Sequence, residues 1–216
     1  MRKLLVTSVV LLALLLVADR ITVKVVDGVV ASRLQTDGRL TTSPDVAIRG
    51  FPFLTQAISG VYDRTDVHVR DLTRNGLTVS RLDVTVRGAH VPLSQVGKAR
   101  DIPVDGLQAT AVITYYELAH SSGLANLTIR PAGQGVAVTG TVAGVKGTVT
   151  SSVTLRGDRI IVPAQRVAGV SIGGLLDFSV RVPPLPFGLR LTHAAARPDG
   201  VHLTASSGPT VLTPQA

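Results

Sequence analysis

The stretch "GVSIG", residues 169–173, matches the spacing of a catalytic pattern. G-x-S-x-G is the nucleophile elbow of serine hydrolases, and Asp177 or Asp199, then His193 or His202, follow Ser171 in hydrolase order. An elbow requires a strand that ends in a sharp turn and opens a helix inside a parallel α/β sheet. Here the upstream chain alternates in the antiparallel manner, and Gly173 and Gly174 open no helical pattern. Five-residue patterns recur by chance in a chain with 21 glycines, so the match is expected to be incidental. Other catalytic chemistry is as thin. Histidines 68, 90, 120, 193 and 202 have no metal-ligand spacing, and no cysteine supplies a thiolate. Glu117, the sole glutamate, stands three residues after Thr114, the spacing of a helix capping box.

Apolar recognition is the chemistry that remains. "RGFPFLTQAISG", residues 49–60, gathers Phe51 and Phe53, two of only four phenylalanines, around a proline. "VPPLPFGL", residues 182–189, repeats the mixture and cannot be a regular central strand. Two readings stand for both. The phenylalanines plug corners of the core, or they face something greasy that is not protein. Arg49 and Arg64 bracket the first stretch.

Those residues must be positioned by strands. Valine and threonine abound while lysine and glutamate are scarce, which disfavours long surface helices. From residue 44 the pattern has period two, in "VAIRG", "VHV", "LTVSRLDVTV", "LQATAVIT", "LTIR", "VAVTGTVAG", "GTVTSSVTLRG", "RIIV", "DFSVRV", "GLRLTHA" and "GVHLTA". The β-branched content of residues 19–36 would also suit a strand, but the apolar pairs at 25/26 and 29/30 do not alternate and favour a helix, with Ile21, Val25, Val26, Val29, Val30 and Leu34 on one face and Arg20, Lys24 and Asp27 on the other. A short helix is predicted after Pro52, with Phe53, Leu54, Ala57 and Ile58 on the apolar side and Gly60 ending it; another follows Thr114.

Residues 1–18 combine Arg2 and Lys3 with an apolar run from Leu4 to Ala18, the form of a secretory signal. Ala18 suits a cleavage site but Leu16 is large for one, so an uncleaved anchor is the alternative. Either places the remainder outside the cytoplasm, in a periplasm or cell envelope. Without Arg2 and Lys3, 20 basic residues stand against 14 acidic ones, +6, and 18 of the full chain's 22 basic residues are arginine. Scattered arginines in an exported, aromatic-poor chain argue against nucleic acid and suit an anionic membrane surface, where each contributes about 1 kcal/mol.

"IRGFPFLTQAISGVYDRTDVHV", "GLTVSRLDVTVRGAHVPLSQV", "ITYYELAH" and "VPPLPFGLRLTHAAARPDGVHLTASS" together resemble the LmeA-like phospholipid-binding proteins of actinobacterial envelopes, over residues 19–207. The resemblance implies a non-enzymatic protein without cofactor or metal that binds phospholipid and supports lipoglycan assembly. It also implies a strand-dominated α+β fold in one domain, a curved antiparallel sheet wrapped around a helix, with residues 208–216 as a tail. Lipid contacts are expected at Phe51, Phe53, Leu54, Ile58, Phe178, Leu185 and Phe187, with Arg49 and Arg64 at the headgroup, which is expected to be anionic, of the phosphatidylinositol type. The alternative is a membrane-tethered structural or interaction module without a lipid ligand.

Overall fold

A computed structural model describes residues 16–17, 19–32, 35, 43–74, 77–95, 101–122, 126–142, 145–162, 178–182 and 184–213. The apolar run up to residue 15 and the G-x-S-x-G stretch lie outside them. The described residues form a strand-dominated α+β fold with antiparallel pairing and open sheets. Helix α1 covers residues 19–32. Then come β1 (Asp45–Arg49), α2 (Phe53–Ser59), β2 (Val61–Arg74), β3 (Leu77–His90), β4 (Ile102–Ile113) and α3 (Tyr115–Ser121). The remaining strands are β5 (Thr128–Ala132), β6 (Gly135–Val142), β7 (Val145–Ser151), β8 (Thr154–Arg156), β9 (Arg159–Val162), β10 (Phe178–Arg181), β11 (Arg190–Arg197), β12 (Gly200–Ser207) and β13 (Thr210–Leu212).

The largest sheet has the order β1-β2-β3-β4-β12-β11, with β13 also on β4; two three-stranded sheets run β5-β6-β7 and β10-β9-β8. The chain divides into two compact units, and the long strands β2, β3 and β4 contribute residues to both.

The first unit holds α1, β1, α2, β13 and parts of the long strands. Its core is small: Val23 and Val26 of α1, Phe53 and Ala57 of α2, with Tyr62 and Val91. Phe53 is wholly enclosed, its ring 6.0 Å from that of Tyr62. Burial raises the Tyr62 hydroxyl above the ordinary tyrosine range.

The second unit has an aliphatic core built on Ile113, Leu118, Val136, Ile160, Val162 and Val201, each almost fully enclosed. Helix α3 starts as its spacing predicts, with the Thr114 hydroxyl accepting the Glu117 amide at 3.2 Å. Tyr115 then reaches the Arg197 carbonyl with its hydroxyl at 2.5 Å, tying α3 to the β11–β12 hairpin.

Both helix-face expectations in the first unit need correction. On α1 the enclosed side is Asp19, Val23 and Val26 with Val30 half-buried, whereas Ile21 and Val25 are each 61% exposed and Val29 is exposed too. On α2 the enclosed residues are Phe53, Gln56 and Ala57; Leu54 is half-buried and Ile58 stands 87% exposed. Polar anchors explain both. Asp19 and Gln56 have backbone partners that only an inward side chain can reach.

The two phenylalanines of "GFPF" therefore carry different loads. Phe53→Ala should lower stability by about 3–5 kcal/mol, the usual cost of removing an enclosed ring, while Phe51→Ala should cost under about 1 kcal/mol. Urea unfolding of the two variants checks this.

Candidate functional site

The corner at residues 48–54 is held from outside itself. Pro52 caps α2 in an extended conformation and has no side-chain hydrogen bond to offer. Asp19 of α1 supplies the missing acceptor, its Oδ1 taking the Leu54 amide at 2.8 Å. Two turns on, Asp27 Oδ1 accepts the Ile48 amide of β1 at 2.9 Å. Burial raises the Asp27 carboxyl above the ordinary range, against the opposing pull of that amide, Lys24 and Arg49.

Gln56 fixes the corner from the other side. Its Oε1 accepts the Asp63 amide at 3.0 Å and its Nε2 donates to the Arg49 carbonyl at 3.4 Å. Gly50, at φ 108°, lies against this amide so closely that a Cβ there would collide with it. The Phe51–Pro52 peptide is cis. Phe51 then points outward, 56% exposed, with the Arg20 guanidinium 5.0 Å from its ring centroid.

Beside the corner, Arg49 and Arg64 face each other directly across the β1–β2 pair. Two cations opposite one another repel, and Asp66 resolves the conflict. Its carboxylate takes Arg49 Nε at 3.2 Å, Arg64 Nε at 2.8 Å and the Thr85 hydroxyl at 2.9 Å. Both arginine side chains remain largely open, 60% and 55% exposed, while Asp66 is enclosed. Each guanidinium thus engages the carboxylate through Nε and keeps its terminal N–H groups for an outside acceptor. The trio carries one net positive charge, and its forks suit phosphate or carboxylate oxygens.

The remaining expected contacts lie in the other unit. Phe178 is on β10 opposite Val162, Leu185 packs against the aliphatic core, and Phe187 is half-buried in a turn at φ 58°. The structure thus brings Arg49, Phe51, Phe53, Leu54, Ile58 and Arg64 into one unit. Asp66, Arg20, Asp19 and Gln56 are the partners that sequence reasoning missed; only Asp66, two residues after Arg64 on the same strand face, carried a usable signal.

Of the hydrolase candidates, Ser171 and Asp177 lie outside the described residues. Asp199 and His202 do meet, at 2.8 Å, in the β11–β12 hairpin, with Arg81 Nη2 3.2 Å from the same carboxylate. The His202 contact comes first among the influences holding that carboxyl below its ordinary range. His202 is half-buried. Among the described residues no three His, Asp or Glu side chains gather as a metal site, and no helix is long and apolar enough to cross a membrane.

Burial alone would raise the Asp66 carboxyl, but the hydrogen bonds from Arg64, Thr85 and Arg49 together outweigh it and lower it below the ordinary carboxylate range. A depressed folded value stabilises the protein above the unfolded carboxylate range and loses that stabilisation as pH falls through the folded value. Asp66→Asn should flatten the acid limb of stability below about pH 4. At neutral pH it should cost about 1–3 kcal/mol, the worth of hydrogen bonds to a charged group. Thermal unfolding across pH measures both.

Residues 17–206 match the LmeA-like phospholipid-binding family. No curated protein and no solved structure matches the chain. With that match covering most of its length, the chain belongs to the LmeA-like phospholipid-binding family.

Proposed function

We propose that the protein binds anionic phospholipid without chemical turnover, with the headgroup phosphate at the Arg49–Arg64 fork and the acyl chains on apolar surface that starts at Phe51, Leu54 and Ile58. The observation that carries this is the pair of guanidiniums held over one enclosed carboxylate, next to an outward phenylalanine. Asp66 prevents the cations from repelling each other and leaves their outer N–H groups free, so an incoming phosphate meets a preformed donor set. Acyl burial supplies the affinity, about 0.8 kcal/mol per methylene, and the fork supplies the choice of headgroup.

The wider reading belongs to the same proposal. The protein acts in the cell envelope after export, supporting lipid or lipoglycan assembly, with phosphatidylinositol-type lipids as the preferred class. A sheet curved around a helix, as the resemblance implies, provides the shelter for the chains. Phe178, Leu185 and Phe187 are candidate lipid contacts of the second unit, taken by itself.

Native mass spectrometry of the purified protein should show bound phospholipid, richer in anionic species than the host membrane. Arg49→Gln with Arg64→Gln should leave the protein folded and cut the preference for phosphatidylinositol over phosphatidylcholine by about 10- to 30-fold, at about 1 kcal/mol per basic group. Raising ionic strength should reduce the preference in the parent protein, since attraction between exposed charges already fades beyond about 8 Å at physiological salt and over shorter distances at higher salt. A protein that carries no lipid, or a double variant with undiminished selectivity, would replace this reading with an interaction module.

A further inference from the structure

Seven of the nine large apolar side chains that stand exposed among the described residues lie between residues 16 and 58. They are not scattered there. Ile21, Val25 and Val29 follow one another at four-residue intervals along α1, on the side turned away from the unit's core. Isolated exposed apolar residues are ordinary, but a continuous stripe on a surface helix is a place where something docks.

The charges of the helix are sorted in the same sense. Its two acids, Asp19 and Asp27, are engaged with the Leu54 and Ile48 amides. The outward side carries Arg20 and Lys24 and no acid. Helical spacing sets these two cations along one flank of the apolar stripe. A face that is apolar along one line, basic along the next and free of acids is complementary to the interfacial layer of an anionic bilayer, with hydrocarbon below and phosphate beside it. A second copy of this chain fits less well. In a twofold contact the face would meet itself and bring Arg20 and Lys24 towards their own equivalents.

We propose that the outward face of α1 is a membrane-docking surface, which lies in the interfacial layer of an anionic bilayer with Ile21, Val25 and Val29 inserted and Arg20 and Lys24 on lipid phosphates. Docking in this way is separate from holding a lipid at the Arg49–Arg64 fork, and does not depend on it. The Arg20–Phe51 contact joins the two features, since the cation that flanks the docking stripe also covers the exposed ring at the corner.

The chain has no tryptophan, so Val25→Trp places a single indole on the proposed face of the full-length protein. Vesicles of equal parts phosphatidylcholine and phosphatidylglycerol should shift its emission to the blue, and bromine-labelled acyl chains should quench it. Tyr116→Trp, at a position 76% exposed in the other unit, should show neither effect. Ile21→Ser with Val25→Ser and Val29→Ser should weaken vesicle binding at least about tenfold while leaving thermal unfolding in place. Lys24→Glu should weaken binding to the mixed vesicles and not to pure phosphatidylcholine. An indole at position 25 that keeps its water-exposed emission with vesicles present overturns the proposal, as does equal quenching at position 116. A blue shift that grows with protein concentration in the absence of vesicles also overturns it, in favour of self-association. The double Arg49→Gln, Arg64→Gln variant should retain the shift at position 25, so failure of the fork and failure of the docking face are read separately.

Discussion

Two carboxylates on one helix determine how the first unit is put together. Asp19 and Asp27 each accept a backbone amide that secondary structure leaves without a partner, one at the start of α2 and one on the edge strand β1. An enclosed unpaired amide costs roughly 1–3 kcal/mol, comparable to burying a valine side chain, so these contacts can outweigh the helix's apolar preference. They fix the rotation of α1. Val23 and Val26 turn inward because they share the acids' side, and Ile21, Val25 and Val29 are left outside. Everything outward about this unit, from the apolar stripe to the cation over Phe51, follows from that choice of face.

A second carboxylate hub acts on the neighbouring strands by the opposite logic. Asp19 and Asp27 satisfy donors of the backbone, whereas Asp66 reconciles two side-chain cations that the β1–β2 register sets opposite each other. Its enclosure strengthens both contacts, because few water molecules compete for the carboxylate. Three hydrogen bonds to one enclosed group also make the local strand pairing hard to slip, since a shift by one residue would turn Asp66 to the other face.

The sequence was most legible where a single physical rule acts alone. Period-two alternation locates the strands from β1 to β12, and the Thr114–Glu117 spacing locates α3. It was least legible where a polar side chain finds a distant backbone partner. Counting apolar residues places Asp27 outside and Ile21 inside, because nothing local to α1 reveals an amide at Ile48. Gln56 and Ile58 exchange places on α2 for the same reason, the glutamine being held by Arg49 and Asp63. At the candidate site, Arg49 and Arg64 could be read as bracketing the "GFPF" stretch, but which of its two phenylalanines turns outward could not. Asp66 is signalled only by its place two residues after Arg64 on one strand face, and its contact with Arg49 emerges once the strand register is known. The second unit's Phe178, Leu185 and Phe187 share a composition with that stretch, but resemblance of composition does not place residues in one compact unit.

The Arg49–Arg64 pair also bears on a feature of the composition that looks at first like genomic bias, the 18 arginines among 22 basic residues. Each of these two side chains reaches Asp66 through Nε, which leaves its outer nitrogens for the external acceptor proposed above. Lysine has one nitrogen at the end of a flexible stem. A lysine at either position must hold Asp66 or reach outward, because one ammonium cannot span both directions. At 49 and 64, then, a substitution that conserves charge does not conserve the arrangement. Arginine at these two positions can hold Asp66 and still present donors outward, which lysine cannot.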